Sequence, residues 1–399
     1  MTSHLLRRLV QLAFVLLAAG AGLGLARGWS SGGVERYCPF GGIETLWSIV
    51  THQKFTCATG PYNLTLLVAL VAVTLLVRKA FCSWLCPVGT VSEWLGMLAR
   101  RFRRRGSGRG PDAPGMFEPP PRVDSAARWL RLAILVAVVA ATVGTSELVF
   151  RPYDPYYVLF SFHGHEVQWW SYPLVAALLA LAVVIPMAWC RYLCPLGCVL
   201  WPFSRVAWLR LRRSPEACSG CGRCDRVCPH GLAVSAVTEV RSGECTLCLE
   251  CTRVCDRARA LTLQPARLDR PLPGWFLVLP LAFAVAAGLL TAEWVVFASF
   301  QRTYSTAQPR STASALFTVD GVRCVDTAQM AAAQLDEVAG VLTLTAHASD
   351  RQLRITYDPA QTGPEAIRQA LEGPVLEEKS GAFLFNVFRV LEIAPEPAQ

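Results

Sequence analysis

Charge is what this sequence has least of. Only 17% of its 399 residues are charged, against about 25% in an ordinary soluble domain. The deficit falls in a few apolar blocks, which points to membrane spans and not to a larger core. Other features are missing outright. No C-x-x-C-H sequence occurs, which excludes covalent haem attachment. A nucleotide-binding glycine loop and a hydrolytic triad are also absent, which removes those enzyme classes. The basic run RRFRRR at 100–105 has no aromatic stacking pattern around it. It reads as a topology signal that also attracts anionic lipid, with no nucleic acid as partner.

What remains is apolar residue, 53% of the chain, and sixteen cysteines. Five stretches approach the roughly 20 residues that cross a bilayer: 9–26, 62–77, 129–150, 172–189 and 275–300. The first has an arginine pair before it, but its apolar run exceeds that of a secretory signal, so an uncleaved helix is expected. The segment 78–128 carries ten Lys/Arg, whereas 27–61 carries three and 151–171 one. The positive-inside rule then places the N-terminus, 78–128 and 190–274 in the cytoplasm, and the C-terminal hundred residues on the far side. Glu147 and Glu293 fall near the expected outer span ends, and Arg131 is placed to snorkel toward the interface.

The cysteines cluster at short fixed spacings, which argues for metal ligation over a disulfide framework. ACSGCGRCDRVCPHG (217–231) and ECTLCLECTRVCD (244–256) both contain C-x2-C-x2-C-x3-C. Zinc would favour two separated C-x2-C pairs; a tight triple with a remote fourth ligand suits a cubane. In two-cluster ferredoxins the fourth cysteine of each run serves the other cluster. One [4Fe–4S] cluster is therefore expected on Cys218, Cys221, Cys224 and Cys255, the other on Cys245, Cys248, Cys251 and Cys228. Asp256 stands where the first run has Pro229, which loosens the turn but removes no ligand.

A second pattern repeats. FCSWLCPVGTVSEW (81–94) follows the second apolar stretch and WCRYLCPLGCVLW (189–201) the fourth. Both read C-x3-C-P-x-G, with Pro87 and Pro195 expected to stop a helix. Upstream lie YCPFGGIETLW and FRPYDPYYVLF, so 1–200 looks like two copies of one unit about an axis along the membrane normal. Such symmetry would gather Cys82, Cys86, Cys190 and Cys194, either as a further metal centre or as a dithiol couple. Helix-end packing by small polarisable thiols is the plainer alternative.

Cys38 and Cys57 fall on the expected outer side, where a disulfide or a reactive pair is open to them. His163, His165 and Glu166 read as a solvated loop. Beyond a polar linker at 301–314, residues 315–393 alternate as strand, helix, two strands, helix and strand, the βαββαβ order of a ferredoxin-like fold. The expected division is a four-helix membrane region over 1–200, a ferredoxin-type insert over 210–265, a fifth span over 275–300, the linker and this α+β domain.

CPFGGIETLW, the twinned CSWLCPVG and CRYLCPLG, and the double cysteine run resemble the membrane polyferredoxins of the NapH, NosR and CcoG types, over roughly 5–300. The resemblance implies a multi-pass iron–sulfur protein of a bacterial-type cytoplasmic membrane. Such a protein moves electrons between quinone or a cytoplasmic donor and a periplasmic, in some members copper-related, system. It implies redox donor and acceptor proteins, a copper protein among them, and an electron-transfer component more than a self-contained enzyme. The alternatives are a cupric reductase or metalloprotein assembly factor, and a non-redox metal-responsive regulator. The tail resembles a heavy-metal-associated domain, whose G-M-x-C-x-x-C motif becomes GVRCVDT here. Cys324 matches the first ligand and Thr327 replaces the second. One thiolate is a poor copper(I) site, so weak copper binding and a docking role both stay open.

Overall fold

The structure is a computed structural model that describes residues 3–27, 37–52, 60–107, 119–145, 150–161, 167–257, 259–292, 300–304, 311–322, 325–347, 351–376, 383–384 and 387–396. Cys57, His163, His165, Glu166, Glu147, Glu293 and Cys324 lie outside them. Two compact units form. One comprises 1–40, 66–141 and 149–289; the other comprises 41–65, 142–148 and 290–399.

The helices run in chain order as α1 (Ser3–Ala26), α2 (Gly41–His52), α3 (Gly60–Val77), α4 (Ala80–Trp84) and α5 (Pro87–Ser107). Then come α6 (Pro121–Ala127), α7 (Leu130–Thr145), α8 (Pro155–Phe160), α9 (Ser171–Val184) and α10 (Pro195–Val206). A helix occupies the middle of each expected span. Two of them, over Ser3–Gly24 and Gly274–Thr291, have the length and hydropathy to cross a membrane, while Tyr62–Val77 and Ser171–Val184 are apolar but shorter. The 14 residues of α9 rise about 21 Å, less than the ~30 Å hydrocarbon core. The stretch expected as a loop after the second span holds the 21-residue α5, whose last turns carry the basic run.

Pro87 and Pro195 do more than stop a helix: each is the first residue of the next one, α5 and α10. That position suits proline, whose missing N–H would be unpaired there anyway. In both motifs the amide of the second cysteine bonds five residues back, Cys86 N to Phe81 O at 2.9 Å and Cys194 N to Trp189 O at 2.8 Å. The wide turn is the one that π-bulges use at functional sites. Gly89 makes the return possible, since a Cβ there would strike the Cys82 carbonyl, whereas one at Gly197 would stand 3.3 Å from Cys190 O. Gly89→Ala is expected to cost about 1–3 kcal/mol by overpacking and Gly197→Ala less, read from thermal unfolding of the two variants.

After α10, β1 (Leu209–Arg213) pairs antiparallel with β2 (Leu261–Pro265), from Leu209 opposite Pro265 to Arg213 opposite Leu261. This ladder closes the cysteine-rich insert at its base. Inside it, α11 (Arg223–Arg226) and α12 (Glu250–Arg253) are matching single turns, one per run. Both start from a left-handed residue, Gly222 at φ 63° and Leu249 at φ 60°. Gly220 and Leu247 form a second such pair, at φ 69° and 46°. Leucine in that region costs roughly 1–2 kcal/mol, and burial offsets it, since Leu247 and Leu249 are only 2% and 5% exposed. The unit ends at Leu289, within α13 (Val278–Ala292).

The second unit holds a five-stranded antiparallel sheet. Its members are β3 (Phe300–Thr303), β4 (Ala313–Asp320), β5 (Val341–His347), β6 (Gln352–Tyr357) and β9 (Arg389–Glu396), in the order β3-β5-β6-β4-β9. β7 (Val375–Leu376) and β8 (Phe383–Leu384) form a separate two-stranded ladder. Alternate residues of β4, Ala315, Phe317 and Val319, are buried as strand periodicity requires. They pack with Ala328 and Ala331 of α14 (Val325–Ala333) and Ile367 and Leu371 of α15 (Pro364–Leu371). The last strand, expected as one run, is split between β8 and β9.

Candidate metal centre and the platform beneath it

Cys228, Cys245, Cys248 and Cys251 line one pocket, although one of them comes from the first run and three from the second. The rest of its wall is largely apolar, including Leu211, Leu232, Val234 and Leu247. Backbone amides point at the sulfurs: Leu232 and His230 to Cys228, and Glu250 to Cys248. Burial pushes the thiols up, Cys228 to about 11 and Cys248 to about 12. Among the described residues no three His, Cys, Asp or Glu stand close enough to share a single metal ion. Four thiols, an apolar wall and inward amides fit a [4Fe–4S] group, whose bound iron would keep these sulfurs as thiolates.

The other predicted set is placed differently. Cys221 is exposed, Cys218 and Cys255 are half-buried, and Cys224 is buried. The Gly220 amide pulls the Cys218 thiol down, and the Arg223 amide does the same for Cys221. Arg223, beside Cys224, pairs with Asp256, beside Cys255. The residue expected only to loosen a turn thus ties the two runs together.

The buried run rests on a platform that sequence reasoning missed. Its parts are the residues lying between the paired cysteines of each C-x3-C-P motif, together with cations near the helix ends. In the first motif, Ser83 Oγ donates to Thr246 O at 2.8 Å and Trp84 Nε1 to Leu247 O at 3.1 Å. In the second, Arg191 pairs with Asp124 at 2.5 Å and Tyr192 OH donates to the same carboxylate at 2.5 Å. Glu244, one residue before Cys245, takes Lys79 at 2.7 Å and Arg131 at 3.0 Å. Arg131, expected to snorkel, is 6% exposed and reaches the insert at Glu244. Arg7 is 1% exposed; it donates to Cys248 O and Glu250, both at 2.9 Å, to Ser83 O at 3.1 Å, and to Glu93. Arg8 reaches Glu93 at 3.1 Å and Glu250 at 3.2 Å. The one signal available was acidic residues flanking a cysteine run in a chain poor in charge.

The four motif thiols lie within electrostatic range of one another, though among the described residues they do not stand close enough to share a single metal ion. Cys190 feels the charges of Cys86, Cys194 and Cys82. Cys38 is linked to these thiols through Asp154. Its Sγ donates to Asp154 Oδ2 at 3.1 Å, and Asp154 in turn acts on Cys86 and Cys194. Phe40 and Phe150 meet edge-on at 4.6 Å, so the segments upstream of the two motifs also converge. Beside the first motif lies an apolar cavity of about 390 Å³ whose wall includes Leu70, Val73, Phe81, Leu85, Pro87 and Tyr156.

Comparison with known proteins gives concordant results. The family described as 4Fe-4S binding domain matches twice, at 59–105 and 167–215, each time across one C-x3-C-P motif. The 4Fe-4S dicluster domain matches 210–256. The chain is 34% identical over 268 residues to YccM of Escherichia coli K12, described as an electron transport protein, covering 64% of this chain and 72% of that one. It is 26% identical to the ferredoxin-type protein NapH of the same organism, over 53% of this chain and 70% of NapH. It is 29% identical to the regulatory protein NosR of Pseudomonas aeruginosa, over 44% of this chain and 23% of NosR. No solved structure matches.

Proposed function

The chain belongs to the 4Fe-4S electron transport family that includes YccM, and from that premise we propose that it passes electrons between a partner at the exposed cysteine run and the thiol group of the C-x3-C-P motifs. When bound, each cluster supplies one-electron uptake and release. The chain sets where that happens. Cys218, Cys221, Cys224 and Cys255 would hold one cluster at the surface, where Cys221 is open to a donor or acceptor protein. Cys228, Cys245, Cys248 and Cys251 would hold the other in the apolar pocket, shielded from water. The observation that carries the reading is the seating of this second run on Ser83 and Trp84, residues enclosed by Cys82 and Cys86.

Cys82, Cys86, Cys190 and Cys194 form the inner terminus, as a third metal centre or a dithiol. The match of an iron–sulfur family to both motifs favours the metal. The neighbouring cavity is apolar and of a size suited to a small ligand, which supports a lipid-soluble quinone as the exchange partner there. Spans of a bacterial-type cytoplasmic membrane would surround it, with the N-terminus and cysteine-rich insert cytoplasmic and the C-terminal sheet unit, read as heavy-metal-associated-like, outside. A second reading, reduction of copper(II) during metalloprotein maturation, draws on a further thiol, Cys38, bonded to the Asp154 that acts on Cys86 and Cys194.

EPR-monitored redox titration of the anaerobically purified protein tests both. Wild type is expected to show two cluster signals plus a third that Cys82→Ala and Cys190→Ala abolish. Spectra identical in all three proteins would remove the metal centre. Catalytic copper(II) reduction without any added acceptor protein would move the assignment to the second reading.

A further inference from the structure

Two side chains of the pocket, His230 and Thr246, are buried with no hydrogen-bond partner for their polar side-chain atoms, and of the two His230 is the larger and has the longer reach. It is 2% exposed, and neither Nδ1 nor Nε2 has a hydrogen-bond partner. An imidazole stranded in this way forfeits about 1–3 kcal/mol, and native proteins seldom leave such a group without a purpose. The backbone holds it in place. Arg128 Nη2 donates to His230 O at 2.8 Å, and the amide of His230 bonds Cys228 Sγ. Gly231, at φ 62°, lies against the Arg191 guanidinium, so closely that a Cβ would stand 2.5 Å from Nη2.

The surroundings offer no acceptor. Lys79, Arg128 and Arg191 face the ring as cations, and the one facing carboxylate, Glu244, is already taken by Lys79 and Arg131. An imidazole carries at least one N–H in either protonation state, so the ring has a donor to place. The remaining direction is the pocket itself, whose wall His230 shares with Cys228, Cys245, Cys248 and Cys251. The other run has no counterpart: Arg257, two residues beyond Cys255 as His230 is beyond Cys228, is exposed.

We propose that the His230 imidazole N–H donates a hydrogen bond to a sulfur of the cluster held by Cys228, Cys245, Cys248 and Cys251, and so raises its reduction potential above that of its neighbour. The physical reason is direct. Reduction adds negative charge to the sulfurs, and a donor binds a more negative acceptor more strongly. His230 thereby makes the buried cluster the preferred resting place of the electron. The inference rests on the proposed assignment of those four cysteines.

The test combines two variants with one label. His230→Leu removes the donor, while His230→Gln keeps an N–H of similar reach. In redox titration followed by EPR, His230→Leu is expected to make one cluster about tenfold less reduced at a fixed potential, about 59 mV for one electron. The other cluster stays unchanged, and His230→Gln lies near wild type. Wild-type protein with 15N-labelled histidine should also show a weak nitrogen coupling to one reduced cluster in pulsed EPR, absent from both variants. Unchanged potentials in His230→Leu, equal shifts in the two variants, or no nitrogen coupling in iron-replete wild type would each overturn the proposal. Should His230→Leu lose its iron, the wild-type coupling decides alone. Wild type without iron and sulfide would instead sink the cluster assignment beneath it.

Discussion

Glu244→Gln is expected to destabilise the protein by about 3–5 kcal/mol, because it leaves Lys79 and Arg131 buried without a counter-charge. The two cations are 2% and 6% exposed, and Glu244 itself is 3% exposed. Glutamine keeps the volume and loses only the charge, which isolates electrostatics from packing. The triple change Glu244→Leu, Lys79→Met, Arg131→Leu should recover much of the loss, since apolar groups of similar size often replace a buried ion pair at little cost. Thermal unfolding of the detergent-solubilised variants checks both. A loss below about 1 kcal/mol for Glu244→Gln, the range of exposed pairs, would mean that water reaches the site. The same carboxylate predicts a pH response. Burial alone would raise its pKa, but Arg131 and Lys79 outweigh burial and hold it well below the usual carboxylate range. Its stabilising effect is therefore complete above the unfolded value of about 4.3 and is lost as pH falls from there through the folded value.

Cys228→Ser is expected to abolish the same EPR signal as Cys245→Ser, although the two residues belong to different runs. The reason is the pocket, which takes Cys228 from the first run and Cys245, Cys248 and Cys251 from the second. Each variant should lose the iron of one cluster, with the surface cluster's potential intact. Cys218→Ser and Cys255→Ser should form the complementary pair. Iron analysis and EPR on all four proteins decide the matter. If Cys228→Ser instead behaves like Cys218→Ser, each run serves its own cluster and the crossed assignment falls.

The two cysteine runs and the two C-x3-C-P motifs were legible because ligand spacing is a local property. Pro87 and Gly89 could be read as turn residues for the same reason, yet the five-residue closure could not, since it depends on which carbonyl the Cys86 amide finds. The platform was illegible for a different reason. Arg7 and Arg8 carry the pattern of a topology signal, and nothing local distinguishes a solvated arginine from one enclosed by Glu93 and Glu250. The partner of Arg131 was illegible on the same ground, since Glu244 lies 113 positions away. The Cys38 bond to Asp154 was illegible because the two lie 116 positions apart. His230 reads as part of a CPHG turn until burial reveals that it has no partner.

The grip of Arg7 on Glu250, across 243 positions, has a consequence for how the molecule is made. Once made, Arg7 must wait through some twelve seconds or more of synthesis, at roughly 5–20 residues per second, before its anchor exists. Until then Glu93 has its arginine but the insert has no floor. Seating of the buried cysteine run on its platform therefore follows synthesis of the insert, long after the first helix is made.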